Sequence, residues 1–195
     1  LDISGASDEY DIETWCQEGY RLYCPRWVEA RDKKTGEMLF QSKNLWVIMD
    51  MIKGRPERPS YIDGRLPYVD PQLRHFDPAL PKFPSEDEYN EGSFDSLKVH
   101  PTYYDTDYNR HVNNISYIVW LMESFPHEYL DHNLPEFFDV EWKKQCHLGD
   151  EIRVETKKKE NSEEYYTKIL RKCEDGSEEI AFHGITRWRK RVLDK

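Results

Sequence analysis

Asp150-Glu151-Ile152-Arg153-Val154-Glu155-Thr156 alternates apolar and charged residues, and Asp8-Glu9-Tyr10-Asp11-Ile12-Glu13-Thr14 resembles it at an offset of 142. Period-two alternation puts Ile152, Val154 and Thr156 on one face of a strand and Arg153 and Glu155 on the other. Two further matches keep nearly the same register. Thr35-Gly36 corresponds to Asp175-Gly176 at an offset of 140, and Trp46 to Trp188 at 142. Matches in one register, with strand patterns between them, predict two copies of one structural unit.

The second copy is the fuller one. Leu97 and Val99 alternate with Lys98 and His100 as a short strand. Ile115, Ile118, Val119 and Met122 then follow the i, i+3, i+4, i+7 spacing of a helix packed on one side, and this stripe is expected to be core. Four strands follow. Phe138, Val140 and Trp142 alternate, then Ile152 to Thr156, then Tyr165, Thr167 and Ile169, and a hairpin turn at Asp175-Gly176 leads to Ile180–Trp188. A long helix with an antiparallel sheet curled around it is the economical architecture. In the first copy Tyr10–Trp15 reads as a strand, and Arg21–Arg31 and Glu37–Met51 as a hairpin around Lys33-Lys34-Thr35-Gly36. Counting back 142 from the helix leaves the first copy without a first strand and helix of its own. Between the copies, Gly54 to about Asp95 holds seven of the eleven prolines and shows no lasting period. The expected organisation is therefore an incomplete repeat at 1–53, a proline-rich linker at 54–95, and a complete unit at 96–195. Trp46 and Trp188 are expected to pack the sheets.

Just before the helix stands Asp105-Thr106-Asp107-Tyr108-Asn109-Arg110-His111-Val112-Asn113-Asn114. Asp107, Asn109 and His111 occupy alternate positions, which in an extended segment share one side. The helix start adds unpaired backbone N–H groups and a positive dipole end. A carboxylate, a carboxamide and an imidazole beside such donors can polarise a carbonyl and position a water. The same residue types also cap helices, so the pattern alone fits a purely structural loop.

Composition sets the outer limits. Net charge is −10, which argues against nonspecific nucleic-acid binding. The basic cluster Arg187, Arg189, Lys190 and Arg191 reads as a solvated strand end. Cys16, Cys24, Cys146 and Cys173 form no CxxC pair and no metal-ligand spacing, so free thiols in a reducing cytoplasm are expected and neither metal nor cofactor is implied. No apolar run is long enough to span a membrane. The remaining histidines, His75, His100, His127, His132, His147 and His183, form no evident cluster in sequence.

Three segments together resemble the acyl-acyl-carrier-protein thioesterases, the double hot-dog enzymes of plants and bacteria. They are Asp107–Asn114 with Tyr117, Trp120 and Glu123-Ser124; Lys34–Leu39 continuing to Trp46–Met49; and Glu141-Trp142-Lys143-Lys144-Gln145-Cys146. The resemblance implies an α+β, tandem double hot-dog fold, here with a first repeat lacking its first strand and helix. It implies hydrolysis of the thioester that joins a fatty acyl chain to the phosphopantetheine arm of acyl carrier protein, which becomes the expected partner. Hot-dog sheets often pair edge to edge, which leaves a homodimer possible without fixing the oligomeric state.

The family's catalytic residues fall on Asp107, Asn109 and His111, with Gln145 and Cys146 at the positions of the third segment. Backbone N–H groups around Val112, Asn113 and Asn114 are the expected oxyanion donors. His111 can deprotonate water, Asn109 can hold the water or the imidazole, and Asp107 can orient both or stabilise an imidazolium. One departure matters: the family usually has Glu where this chain has Gln145, and an amide orients water but does not accept its proton. The base is then His111 or Asp107, or Cys146 attacks directly. We take His111 with water as the reading. Two other functions fit the same residues: hydrolysis of acyl-CoA, and a catalytically silent protein that binds acyl chains.

Overall fold

A computed structural model describes residues 9–62, 64–65, 67–70, 83–94 and 96–192. Most of the central part of the expected linker, residues 71–82, and Asp8 of the first repeat therefore lie outside the described residues. The chain divides into two compact units, 1–81 and 82–195.

The first unit is a four-stranded antiparallel sheet of β1 (Tyr10–Cys16), β2 (Tyr23–Asp32), β3 (Met38–Asp50) and β4 (Arg55–Glu57), in that order. The β2–β3 turn forms where expected. Asp32 Oδ1 accepts the N–H groups of Lys34 and Thr35 at 2.8 and 2.7 Å, and Gly36 closes the turn at φ +72°, a value costly for any side-chain-bearing residue. β4 takes in residues expected to be linker, because Ile48, Met49 and Asp50 extend β3 far enough to pair with it.

The second unit has a sheet in the order β5 (Glu91–Ser93), β8 (Ile152–Lys158), β9 (Glu164–Lys172), β10 (Glu178–Lys190), β7 (Asn133–Trp142), with β6 (Leu97–Val99) also on β8. Helices α1 (Asn114–Glu123) and α2 (His127–His132) precede β7. The core of this unit joins Tyr117, Trp120, Leu121 and Phe125 to Val154, Ile169, Phe182 and Trp188. Gly184 leaves room under the helix: a Cβ there would stand 3.1 Å from Leu121 of α1 and 3.0 Å from Val140 of β7.

The repeat is present in the backbone. β1 and β8 correspond end to end at an offset of 142, and β3 and β10 at 140. Each third strand also carries a register shift near its start, at Leu39 in β3 and Ala181 in β10, which correspond at an offset of 142. It falls opposite Ala30 and Arg31 in the first sheet and between Ile180 and Phe182 in the second, which are the partners of Leu170 and Ile169. A bulge aims the following side chains and is not a random defect.

Three expectations need correction. Only half of the expected α1 stripe is core: Ile118 and Met122 pack partly buried against it, but Ile115 is 65% and Val119 49% exposed, and the fully buried residues are Ser116, Tyr117, Trp120 and Leu121. The neighbouring stripe carries the two aromatic rings, whose burial removes more apolar area. Trp46 does not repeat the packing of Trp188. It is 59% exposed, whereas Trp188 is 4% exposed under Phe125 and Tyr129. No α-helix stands over the first sheet among the described residues of its unit. Lastly, residues 83–94 belong to the second unit and are not free linker. Tyr89 is buried against Tyr166 and donates to Glu164 Oε1 at 2.8 Å, and Phe83 stacks on His183 at 4.0 Å. The outward face of β9 and β10 presents Tyr166 and Ile185, which need this cover.

Candidate active site

Residues 105–112 form a closed loop, not the extended segment that alternation suggested. Thr106 pairs with Val112, the Asp107 N–H donates to the His111 carbonyl at 2.8 Å, and Arg110 turns the chain at φ +64°. Asp107 Oδ1 accepts from the N–H groups of Asn109 (2.8 Å) and His111 (3.2 Å). The Asp107 carboxylate therefore braces the loop backbone. Among the described residues no carboxylate forms an ion pair with the His111 ring, so the expected orientation of that imidazole by Asp107 is not what the geometry shows.

The loop feeds directly into α1. Asn113 is the N-cap, its Oδ1 accepting from Ile115 N at 2.9 Å and Ser116 N at 3.1 Å. Two of the three expected donors already have backbone acceptors. Val112 N–H is committed to the Cys146 carbonyl and Asn113 N–H to the Asp105 carbonyl, both at 2.8 Å. Neither is free to meet an oxyanion. Asn114 N–H, first in the helix and at its positive end, has no protein acceptor among the described residues.

The third segment is brought to the same place. Tyr117 projects from the buried face of α1, donates to the Lys144 carbonyl at 3.3 Å and accepts from Cys146 N–H at 2.9 Å. Its burial pushes the phenol pKa well up, so it stays a neutral brace. His111 pairs with His147 across an isolated antiparallel bridge. Gln145 is exposed, and its carbonyl accepts from Arg171 Nη1 at 2.8 Å. The His111–His147 bridge and the Val112–Cys146 bond thus bring the Asp107–His111 loop and the Gln145–His147 segment together beside the start of α1.

Cys146 is set apart from them. Its side chain is fully buried in the core, and burial pushes its thiol up from the ordinary value. A reactive cysteine needs the thiolate, which this environment disfavours. His147, in contrast, stands beside His111 although the sequence placed it in no cluster. Its ring meets that of His111 edge to face, centroids 5.2 Å apart. A signal was present in the sequence: His147 follows Cys146 directly, on the segment that supplies the third motif.

The family pattern described as the acyl-ACP thioesterase C-terminal domain matches residues 88–190, and the one for the N-terminal domain matches residues 4–60. The chain belongs to the acyl-ACP thioesterase family. Among curated relatives, an oleoyl-acyl carrier protein thioesterase of Arabidopsis thaliana is 29% identical over 95% of this chain and 57% of its own length. A palmitoyl-acyl carrier protein thioesterase of Gossypium hirsutum is 27% identical over 93% of the chain and 46% of its own length. The chain therefore spans roughly half of these relatives. Two solved structures share its fold, both with a TM-score of 0.71. An acyl-ACP thioesterase from Bacteroides thetaiotaomicron (20% identity) aligns over 93% of this chain and 69% of its own. The 12:0-ACP thioesterase from Umbellularia californica (22% identity) aligns over 94% and 69%. The hot-dog fold expected from the motifs is thus the fold of the chain. No helix among the described residues is long and apolar enough to cross a membrane.

Proposed function

We propose that this chain hydrolyses the thioester between a fatty acyl group and the phosphopantetheine arm of acyl carrier protein, with water as nucleophile and His111 as the base. The observation that carries the reading is the meeting of the Asp107–His111 loop with the Gln145–His147 segment at the start of α1, in a chain of this family. Water held near His111 attacks the carbonyl carbon while His111 takes its proton. Asn109, exposed in the loop, is the candidate to hold the water, and Asn114 N–H the candidate donor to the oxyanion. Asp107 keeps the loop closed through its two backbone bonds. Gln145 can orient water but not deprotonate it. The four cysteines, all free thiols, suit a reducing compartment such as the cytoplasm.

Assay of the purified chain with one acyl group on two carriers tests the proposal. Faster release from acyl carrier protein than from CoA supports it. Equal or faster release from CoA would make the chain an acyl-CoA hydrolase using the same site, and no release from either would leave only acyl binding.

The buried thiol gives a second expectation. Cys146→Ala keeps most of the rate, because the residue's backbone bonds to Tyr117 and Val112 do not need the sulfur. A dead but folded Cys146→Ala variant would instead indicate covalent catalysis. At the neighbouring position, Gln145→Glu is expected to raise kcat by supplying a carboxylate that can accept the water's proton. A fall in kcat would mean that the site is tuned around the amide.

A further inference from the structure

We propose that His147, backed by Asp150, is a second working imidazole of this site: it receives the proton that His111 takes from water and delivers it to the departing sulfur. The proposal rests on the thioesterase reading above. Three observations carry it. The His111 and His147 rings face each other at 5.2 Å and 80°, across a backbone bridge that fixes the two segments. His147 is exposed, so a bound thioester can reach it. And the carboxylate-backed imidazole of this site is His147, not His111. Asp107 is committed to its own loop, whereas Asp150 Oδ2 lies 4.0 Å from His147 Nδ1 and accepts the His147 backbone N–H at 2.8 Å.

The carboxylate is itself held. Arg171 Nη1 stands 3.9 Å from Asp150 Oδ2, donates to the Gln145 carbonyl, and the guanidinium pairs with Glu179. Asp150 thus sits on the Nδ1 side of His147 and leaves Nε2 for a ligand, the arrangement that orients imidazoles in proton-transfer sites generally. The 4.0 Å separation exceeds a hydrogen bond, and such contacts tighten when substrate closes over them.

The proton count balances, each ring ending the cycle as it began. A water O–H bond breaks as its oxygen bonds the carbonyl carbon, and the proton goes to His111. It passes to His147, directly or through one water, where Asp150 stabilises the imidazolium. The C–S bond then breaks with both electrons going to sulfur, and sulfur takes the proton from His147. A fatty acid and a thiol leave, and no further reactant is consumed. Among the described residues, the charged or titratable groups joined to His147 by contacts are Asp150 on its own turn, His111 on the facing loop, and Arg171 of β9 with Glu179 of β10 behind it, Glu179 also meeting Lys144.

The test measures kcat and KM of the full chain across neutral pH for the wild type, His147→Ala, His147→Asn, Asp150→Asn and, as control, His111→Ala. His147→Ala is expected to lower kcat by about 100-fold, at the low end of proton-transfer effects, with KM little changed. Added imidazole restores much of the rate to His147→Ala, Asn does not substitute for His, and the pH dependence of kcat changes in both variants. His147 is exposed, so truncation removes no core packing. Unchanged kcat in both His147 variants, or a loss that Asn repairs and imidazole does not, overturns the proposal. A wild type without hydrolysis brings down the thioesterase reading itself. Full-speed His147 variants beside a dead His111→Ala overturn this inference alone.

Discussion

His111→Ala is expected to give a folded chain that hydrolyses acyl-acyl carrier protein about 100-fold to about 10,000-fold more slowly, the range that follows loss of a general base. Folding should survive because the contacts His111 makes with its own loop are main-chain. Its N–H donates to Asp107 Oδ1 and its carbonyl accepts from Asp107 N–H, and alanine keeps both. Among the described residues its ring meets that of His147 edge to face. Initial rates alongside circular dichroism check the prediction. A folded variant with unchanged turnover would remove His111 from the mechanism and pass the base role to Asp107 or to the His147–Asp150 pair.

The second large effect is on stability. Phe182→Ala is expected to cost the second unit about 3–5 kcal/mol, measurable as a lower urea midpoint. Phe182 is fully buried on β10, stacked with Tyr117 at 5.7 Å and edge-on to Trp142 at 5.6 Å. The close approach of helix and sheet at Gly184, two residues on, leaves the core little room to collapse into the cavity. The damage also reaches the site, because Tyr117 leans on Phe182 and its hydroxyl fixes Cys146 behind the His111 loop. The counterpart Phe40, at the same bulge of the first sheet, is only half-buried. Phe40→Ala should cost clearly less. A loss at Phe182 of under about 1 kcal/mol would contradict the packing described here.

The strands were legible because their faces differ. Ile152, Val154 and Thr156 against Arg153 and Glu155 left one reading, and the copy at Tyr10–Thr14 confirmed the spacing that the backbone shows. The helix was legible in extent but not in orientation. Two adjacent stripes of α1 are apolar, and only tertiary packing decides that Tyr117 and Trp120 turn inward while Ile115 and Val119 stay out. The residues of the site were legible from their motif, but their geometry was not. Period-two spacing suggests a flat strand, and nothing local announces that Asp107 would fold the chain back onto His111 or that Arg110 would adopt a positive φ. The same limit hid His147. Its place opposite His111 comes from a bridge between segments about 36 residues apart, set by Tyr117 and by the Val112–Cys146 bond. The inert setting of Cys146 likewise depends on burial, which a single cysteine in a sequence does not reveal.

The most direct test of the account follows one reaction with two readouts: free fatty acid released from acyl-acyl carrier protein, and the intact mass of the chain in the same samples. Hydrolysis by water at His111 predicts fatty acid accumulating over many turnovers while the mass of the chain stays that of the unmodified protein at every time point. Absence of fatty acid release, or an acyl adduct that forms and decays on Cys146 at the turnover rate, would contradict it.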